Sequence, residues 1–226
     1  MVLVDGEYCH VLKADCLAWA DPDNNGVNGP VRCLEFKFPT ECLSDKTKKH
    51  LKFCIDQYEF PNNKGSIPFV MVSFNEMKLA CEIINKRLCT DQEWTLACEG
   101  PERFPYPYGY QRKNVCNIDR PWIAPNESVL ESNSQDIRDQ EISRLDQRVP
   151  SGSNPECVSP FGVYDMTGNV DENTINTSGR PYHNSLKGGD WPEGSRNRCR
   201  PATLIHNETF RYYQIGGRCC SDPLQL

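Results

Sequence analysis

Thirteen cysteines in 226 residues constrain this chain more than any other feature of its sequence. The density exceeds that of a reduced cytosolic protein, and the chain is too long for a small knottin-like scaffold, so the residues point to an oxidising compartment. An odd count leaves at least one sulfur free, paired between molecules or bound to metal. The reading is of an exported protein, extracellular or periplasmic, although Met1-Val-Leu-Val-Asp-Gly-Glu7 has neither the basic start nor the long apolar stretch of a secretory leader. Three sequons, at Asn126, Asn176 and Asn207, fit such a chain without identifying its source. With 25 Lys and Arg against 31 Asp and Glu, the net charge of −6 offers no basic footprint for nucleic acid or an anionic membrane. The apolar runs Ile67 to Val72 and Leu79 to Ile84 are far shorter than a membrane span and are assigned to a buried core.

Residues 1–50 are rich in turns and hold Cys9, Cys16, Cys33 and Cys42, which reads as a stapled, loop-rich part of the same domain; residues 51–226 form its core. The run Asp21-Pro-Asp-Asn-Asn-Gly26 imitates the front of a helix-loop-helix calcium loop, but Arg32 stands where the closing Glu belongs, so a plain turn is the better reading. Two capping boxes mark helices. Ser73-Phe-Asn-Glu76 precedes Met77, Leu79, Ala80, Ile83 and Ile84 as an apolar face, and Thr90-Asp-Gln-Glu93 precedes Trp94, Leu96 and Ala97, closed by Gly100-Pro101. Residues 127–147 suggest an exposed, irregular helix between Pro125 and Pro150, and from Pro160 onward frequent Gly, Asn and Pro predict short strands joined by long loops.

Six blocks in order carry a resemblance: Phe53-Cys-Ile-Asp-Gln-Tyr-Glu59; Asn85-Lys-Arg-Leu-Cys-Thr-Asp-Gln-Glu-Trp94; Pro105-Tyr-Pro-Tyr-Gly109; Ser159 to Glu172 with its Gly168-Asn-Val170 turn; Lys187-Gly-Gly-Asp-Trp191 followed by Arg198-Cys199; and Ile215-Gly-Gly-Arg-Cys219. Together they resemble the formylglycine-generating sulfatase-modifying enzyme family, and Met1 to Glu7 resembles that domain's first strand. The resemblance implies an α+β, irregular C-type-lectin-related fold, two helices around small twisted antiparallel sheets with long loops. The family includes oxidases, sulfoxide synthases, pyoverdine-maturation proteins and variable ligand-binding proteins, so fold is implied more strongly than function.

By the same resemblance, Cys81 pairs with Cys219 and Cys98 with Cys199, closing loops for which chain-entropy arguments give roughly 4–5 kcal/mol each. Cys54 is expected to pair with Cys89 or Cys220; no partners are implied for Cys9, Cys16, Cys33, Cys42, Cys116 or Cys157. The family's structural calcium site falls on Asp165, Gly168, Val170 and Glu172, two carboxylates with backbone oxygens suited to a hard cation, and a second site begins at Asn117 and Ile118.

The family's copper(I) chemistry needs two thiolates just after the Gly-Gly-Ser segment. The stretch from Gly188 to Cys199 has one cysteine, and Cys199 matches a structural position; Asp190 replaces the active-site serine, and Asp171 and Asn173 replace two tryptophans. Copper-dependent formylglycine formation is therefore not expected, and no catalytic residue is assigned. His10, His50, His183 and His206 are too dispersed for a three-histidine iron site. A cleft is expected from Asp190, Trp191, Arg196, Arg198, Arg200 and His206 with Glu208 to Tyr213, suited to a peptide or small anionic ligand; Trp191 and Phe210 are read as core within it. The reading is a binding or catalytically diverged family member. The alternatives are an oxidase with a rebuilt metal site, for instance the odd cysteine with His206, and a variable ligand-display protein. The sequence specifies neither ligand nor oligomeric state.

Overall fold

The computed structural model describes residues 1–20, 32–192 and 194–223. In chain order the elements are β1 (Val2–Tyr8), β2 (Leu12–Lys13), β3 (Cys16–Trp19), β4 (Cys33–Phe36), β5 (Glu41–Cys42), β6 (Lys49–Ile55), α1 (Phe74–Ile83), β7 (Arg87–Leu88) and α2 (Asp91–Glu99), then α3 (Glu127–Leu130), α4 (Gln135–Leu145), β8 (Asp171–Ile175), β9 (Asn184–Lys187), β10 (Ala202–Thr203), β11 (Ile215–Gly217) and β12 (Cys219–Ser221).

Both capping boxes form. Ser73 accepts from the Glu76 amide while Glu76 accepts from Ser73, and Thr90 and Glu93 do the same for α2. Each reciprocal pair satisfies two amides that a helix start would otherwise leave without partners. Gly100 ends α2 at φ 65°, a left-handed conformation that disfavours a side chain. A Cβ there would also stand 2.5 Å from Pro160. α2 is buried almost all round, with Trp94, Leu96, Ala97 and Cys98 fully enclosed.

α1 corrects the expected face. Phe74, Met77 and Cys81 point inward, whereas Leu79, Ile83 and Ile84 are exposed. The bond from Cys81 to Cys219 fixes the rotation of the helix, and the 74–77–81 stripe lies opposite the 79–83 one. Ile67 and Phe69 are exposed too, so the 67–72 run is not the buried core segment expected.

Two four-stranded sheets frame the domain, ordered β1-β6-β12-β7 and β10-β9-β8-β11. β1 and β6 pair antiparallel along seven positions, from Val2 opposite Ile55 to Tyr8 opposite Lys49. The first strand therefore belongs to the core sheet, and β2-β5 and β3-β4 form two separate small ribbons. In the second sheet β8 pairs antiparallel with β9 but parallel with β11. The 127–147 segment resolves into two helices, α3 and α4, whose Leu130 and Leu145 pack with Val170, Trp191 and Tyr213. The calcium-like run at 21–26 lies outside the described residues.

Six disulfides brace this frame: Cys9–Cys42, Cys16–Cys33, Cys81–Cys219, Cys89–Cys220, Cys98–Cys199 and Cys116–Cys157. The expectation for Cys54 is corrected, since it is the one free cysteine. Strand alternation explains why. Cys220 stands opposite Ile55 and shares its core-facing side, whereas Cys54, opposite Ser221, faces away. Two of the bridges span 138 and 101 residues and tie both capped helices to the C-terminal region. Replacing Cys98 and Cys199 together with Ser is expected to cost about 2–5 kcal/mol in urea unfolding, as loss of a native bridge does. Alkylation without reductant should label one site, on the peptide containing Cys54.

Candidate functional site

The turn between Asp165 and Val170 feeds β8 and gathers a buried charged cluster. Asp165 and Asn169 adopt positive φ, as does Gly168 at 77°. At Gly168 a Cβ would meet the Asn117 carbonyl at 2.4 Å, so glycine is required. That carbonyl accepts the Asn169 amide, and Asn117 Nδ2 donates to Asn169 Oδ1 at 3.0 Å. Ile118 is packed against the Cys116–Cys157 bridge.

Glu172 is wholly buried and receives Arg218 through two bonds of 2.7 Å, with Trp94 Nε1 donating to it at 2.9 Å. The same guanidinium donates to the carbonyls of Asp56 and Tyr164. Glu59 accepts from Ser151, Asn169 and the Val170 amide. Burial, followed by the charges of Asp165 and Glu172, pushes Glu59 well above the usual carboxylate range. Asp165 accepts the Gly152 amide with one oxygen, and burial pushes it up to about 6; its other oxygen is buried without a partner.

These contacts divide the residues that the resemblance assigns to calcium. Asp165, with its bare oxygen in a cluster of three carboxylates and one guanidinium, fits a hard cation. Glu172 reaches a cation only by giving up Arg218 and Trp94. Among the described residues no three His, Cys, Asp or Glu side chains converge on one point, so carbonyl oxygens must supply most of any such shell.

A pocket of about 280 Å³ opens beside the Gly188-Gly189 turn, lined by Trp122, Asp190, Pro192, Ser195, Arg196 and Gln214, among others. Arg196 holds Asp171 at 2.5 Å, and Asp171 also accepts the Gly189 amide. Burial, and then neighbouring Asp171, push Asp190 up to about 7. Two donors in the pocket's residues, Arg196 Nη1 and Gln214 Nε2, are buried with no acceptor. His206 stacks face to face on Phe210 at 3.7 Å, and burial lowers its pKa.

The expected cleft residues are thus only partly brought together. Asp190 and Arg196 line the pocket. Trp191 is buried with Leu130, Val170 and Tyr213 as a core residue. Phe210 is half-buried against His206 and lies outside the core clusters, a correction whose cause is the exposed 205–211 loop that carries it. Arg198 sits over the Phe36 ring. Arg200 clasps Glu99 through bonds of 2.7 and 2.6 Å and donates to the Cys9 carbonyl, which fixes the N-terminal segment to α2. Sequence reasoning did not single out Gln214 or Trp122. Neither stands in a recognisable spacing, and the adjacency arises from the parallel β8-β11 pair and the Arg120–Pro192 bridge. Lys187 is a further buried group, its ammonium over Trp94 and bonded to the Arg200 carbonyl; burial lowers its pKa to about 7.

The irregular pair of sheets, two capped helices and long bridged loops make an α+β domain. The family model described as the sulfatase-modifying factor enzyme 1-like domain matches residues 37–223, and the chain belongs to that family. Its structure is similar to that of CarF, with 16% identity over 98% of this chain and 97% of that one and a TM-score of 0.59. It is also similar to PvdO from Pseudomonas aeruginosa, with 17% identity over 94% of each chain and a TM-score of 0.52. At these identities the two structures share the fold.

Replacing Glu172 with Gln leaves Arg218 buried without its counter-charge and is expected to destabilise the domain by about 3–5 kcal/mol in chemical denaturation. Asp165 provides a pH test. Its folded pKa of about 6 lies above the unfolded value near 4, so the folded state holds the extra proton and stability falls as pH rises between them. In Asp165→Asn this fall should shrink by roughly 2–3 kcal/mol, with the remaining slope carried by the other buried carboxyls whose pKa is raised, Glu59, Glu99 and Asp190.

Proposed function

We propose that this chain is a ligand-binding member of its family, a disulfide-braced exported domain that holds a small polar ligand in the Asp190 pocket and has no copper-dependent formylglycine chemistry. The carrying observation is the state of the sulfurs. Twelve of the thirteen cysteines are bridged, and the remaining thiol, Cys54, lies on the outward face of β6 rather than in the pocket. A copper(I) site of the family type needs two thiolates beside the substrate, and one thiol cannot supply them. The six bridges support export, and no described helix is long and apolar enough to cross a membrane. The pocket's size, its half-buried carboxylate and its two donors without acceptors support binding.

Calcium belongs to the same reading, at Asp165 with carbonyl oxygens of the Gly168 to Val170 turn. The bare Asp165 oxygen supports it. Thermal melts should show stabilisation by millimolar calcium over chelator, and Asp165→Asn should remove the difference. The test of the main proposal is incubation with copper(I), oxygen and a cysteine-containing sulfatase-type peptide, followed by mass spectrometry. The expected result is unchanged peptide cysteine and no tight copper(I) binding. Formylglycine in the peptide would overturn the proposal.

A further inference from the structure

The polar groups around the Asp190 pocket are not all partnered. Arg196 commits its Nη2 to Asp171 at 2.5 Å, and no hydrogen bond to the Asp190 carboxylate is formed by any described side chain. One guanidinium therefore stands beside two neighbouring carboxylates, and the Asp190 carboxyl is left as an open hydrogen-bonding partner for a positively charged group. Trp122, with 61% of its surface exposed, lies at the pocket's edge, where an aromatic face attracts an ammonium.

A second requirement is independent of the first. Gln214 Nε2 and Arg196 Nη1 are donors buried in the pocket's residues without acceptors. Gln214 is 6% exposed, and a buried donor left without an acceptor is destabilising. Arg196, with a side chain 32% exposed, lines the opening. An oxygen acceptor would satisfy both donors. A simple anion would satisfy them too, but at the cost of a further negative charge beside Asp171 and Asp190.

We infer that the Asp190 pocket receives an α-ammonium group together with the neighbouring carbonyl or carboxylate oxygen, the pair carried by a free amino acid and by the amino terminus of a peptide. This rests on the binding function proposed above and names its ligand class. The ammonium faces Asp190 and the Trp122 ring, and the oxygen faces Gln214 and Arg196. About 280 Å³ accommodates an amino-acid-sized group and little more, so the rest of a longer ligand stays outside.

The test is calorimetric titration of the whole protein with L-alanine, trialanine, N-acetyl-L-alanine and ethylamine. Alanine or trialanine is expected to bind, with N-acetyl-L-alanine and ethylamine at least tenfold weaker because each lacks one of the two groups. Tighter binding of alanine identifies the free amino acid as the ligand; tighter binding of trialanine identifies the peptide terminus. Asp190→Asn, checked for folding by its near-ultraviolet circular dichroism, should weaken the preferred ligand at least tenfold. The inference is overturned if N-acetyl-L-alanine binds as well as alanine, if Asp190→Asn binds unchanged, or if no probe binds at millimolar concentration. Binding of N-acetyl-L-alanine would overturn the ammonium assignment and keep the binding function, whereas only formylglycine formation removes the latter.

Discussion

The ion pair between Arg218 and Glu172 is the contact on which the rest of the structure depends. Arg218 stands between β11 and β12, so it belongs to the junction of the two sheets, and Glu172 lies on β8. Trp94 of α2 donates to the same carboxylate, and the guanidinium also holds carbonyls at Asp56, just after β6, and Tyr164, before the Gly168 turn. One pair thus joins both sheets, a helix and the site-forming turn. Taking two charges out of water is costly, and it is tolerated here because nearly every donor and lone pair is used. Cys219 and Cys220 follow Arg218 directly, and their bridges to Cys81 and Cys89 clamp the strand that carries it.

Around this pair the interior is unusually polar. Asp171, Glu172, Asn173, Thr174, Asn184, Ser185 and Lys187 are all buried on β8 and β9. Many are satisfied by one another, as in Thr174 with Ser185 or Asn173 with the carbonyls of Val72 and Gly216. Others are not, including both side-chain polar atoms of Asn184 and the amide oxygen of Asn173. A core of this kind gains little from apolar burial per residue, which accounts physically for the reliance on six disulfides.

The same polarity shapes the site. Positions that bulky aromatic side chains occupy in the family's usual turn motif hold Asp171 and Asn173 here, and Asp171 recruits Arg196 to the pocket wall. The thiol chemistry of the family's oxidases needs sulfurs free in this region, and here the nearby Cys199 is consumed in bracing α2. What is left at the Gly189 turn is a small cavity with charge and hydrogen-bonding capacity.

Much of the architecture was legible in the chain itself, because it depends on short-range chemistry. The capping boxes at Ser73 and Thr90 needed only neighbours three residues away, and both formed. The ordered motifs identified the fold, and the odd cysteine count required a sulfur outside intramolecular pairs. What the sequence left open was decided by rotation, register and charge partnering at long range. Which stripe of α1 faces inward was set by the tether to Cys219, and the partner of Cys89 by strand alternation that puts Cys220 inside and Cys54 outside. Arg200 and Arg196 look alike in sequence, yet Glu99 removes the first from the pocket and Asp171 holds the second in it. Gln214 and Trp122 became site residues through strand pairing between segments remote in the chain, a relation that no local spacing encodes.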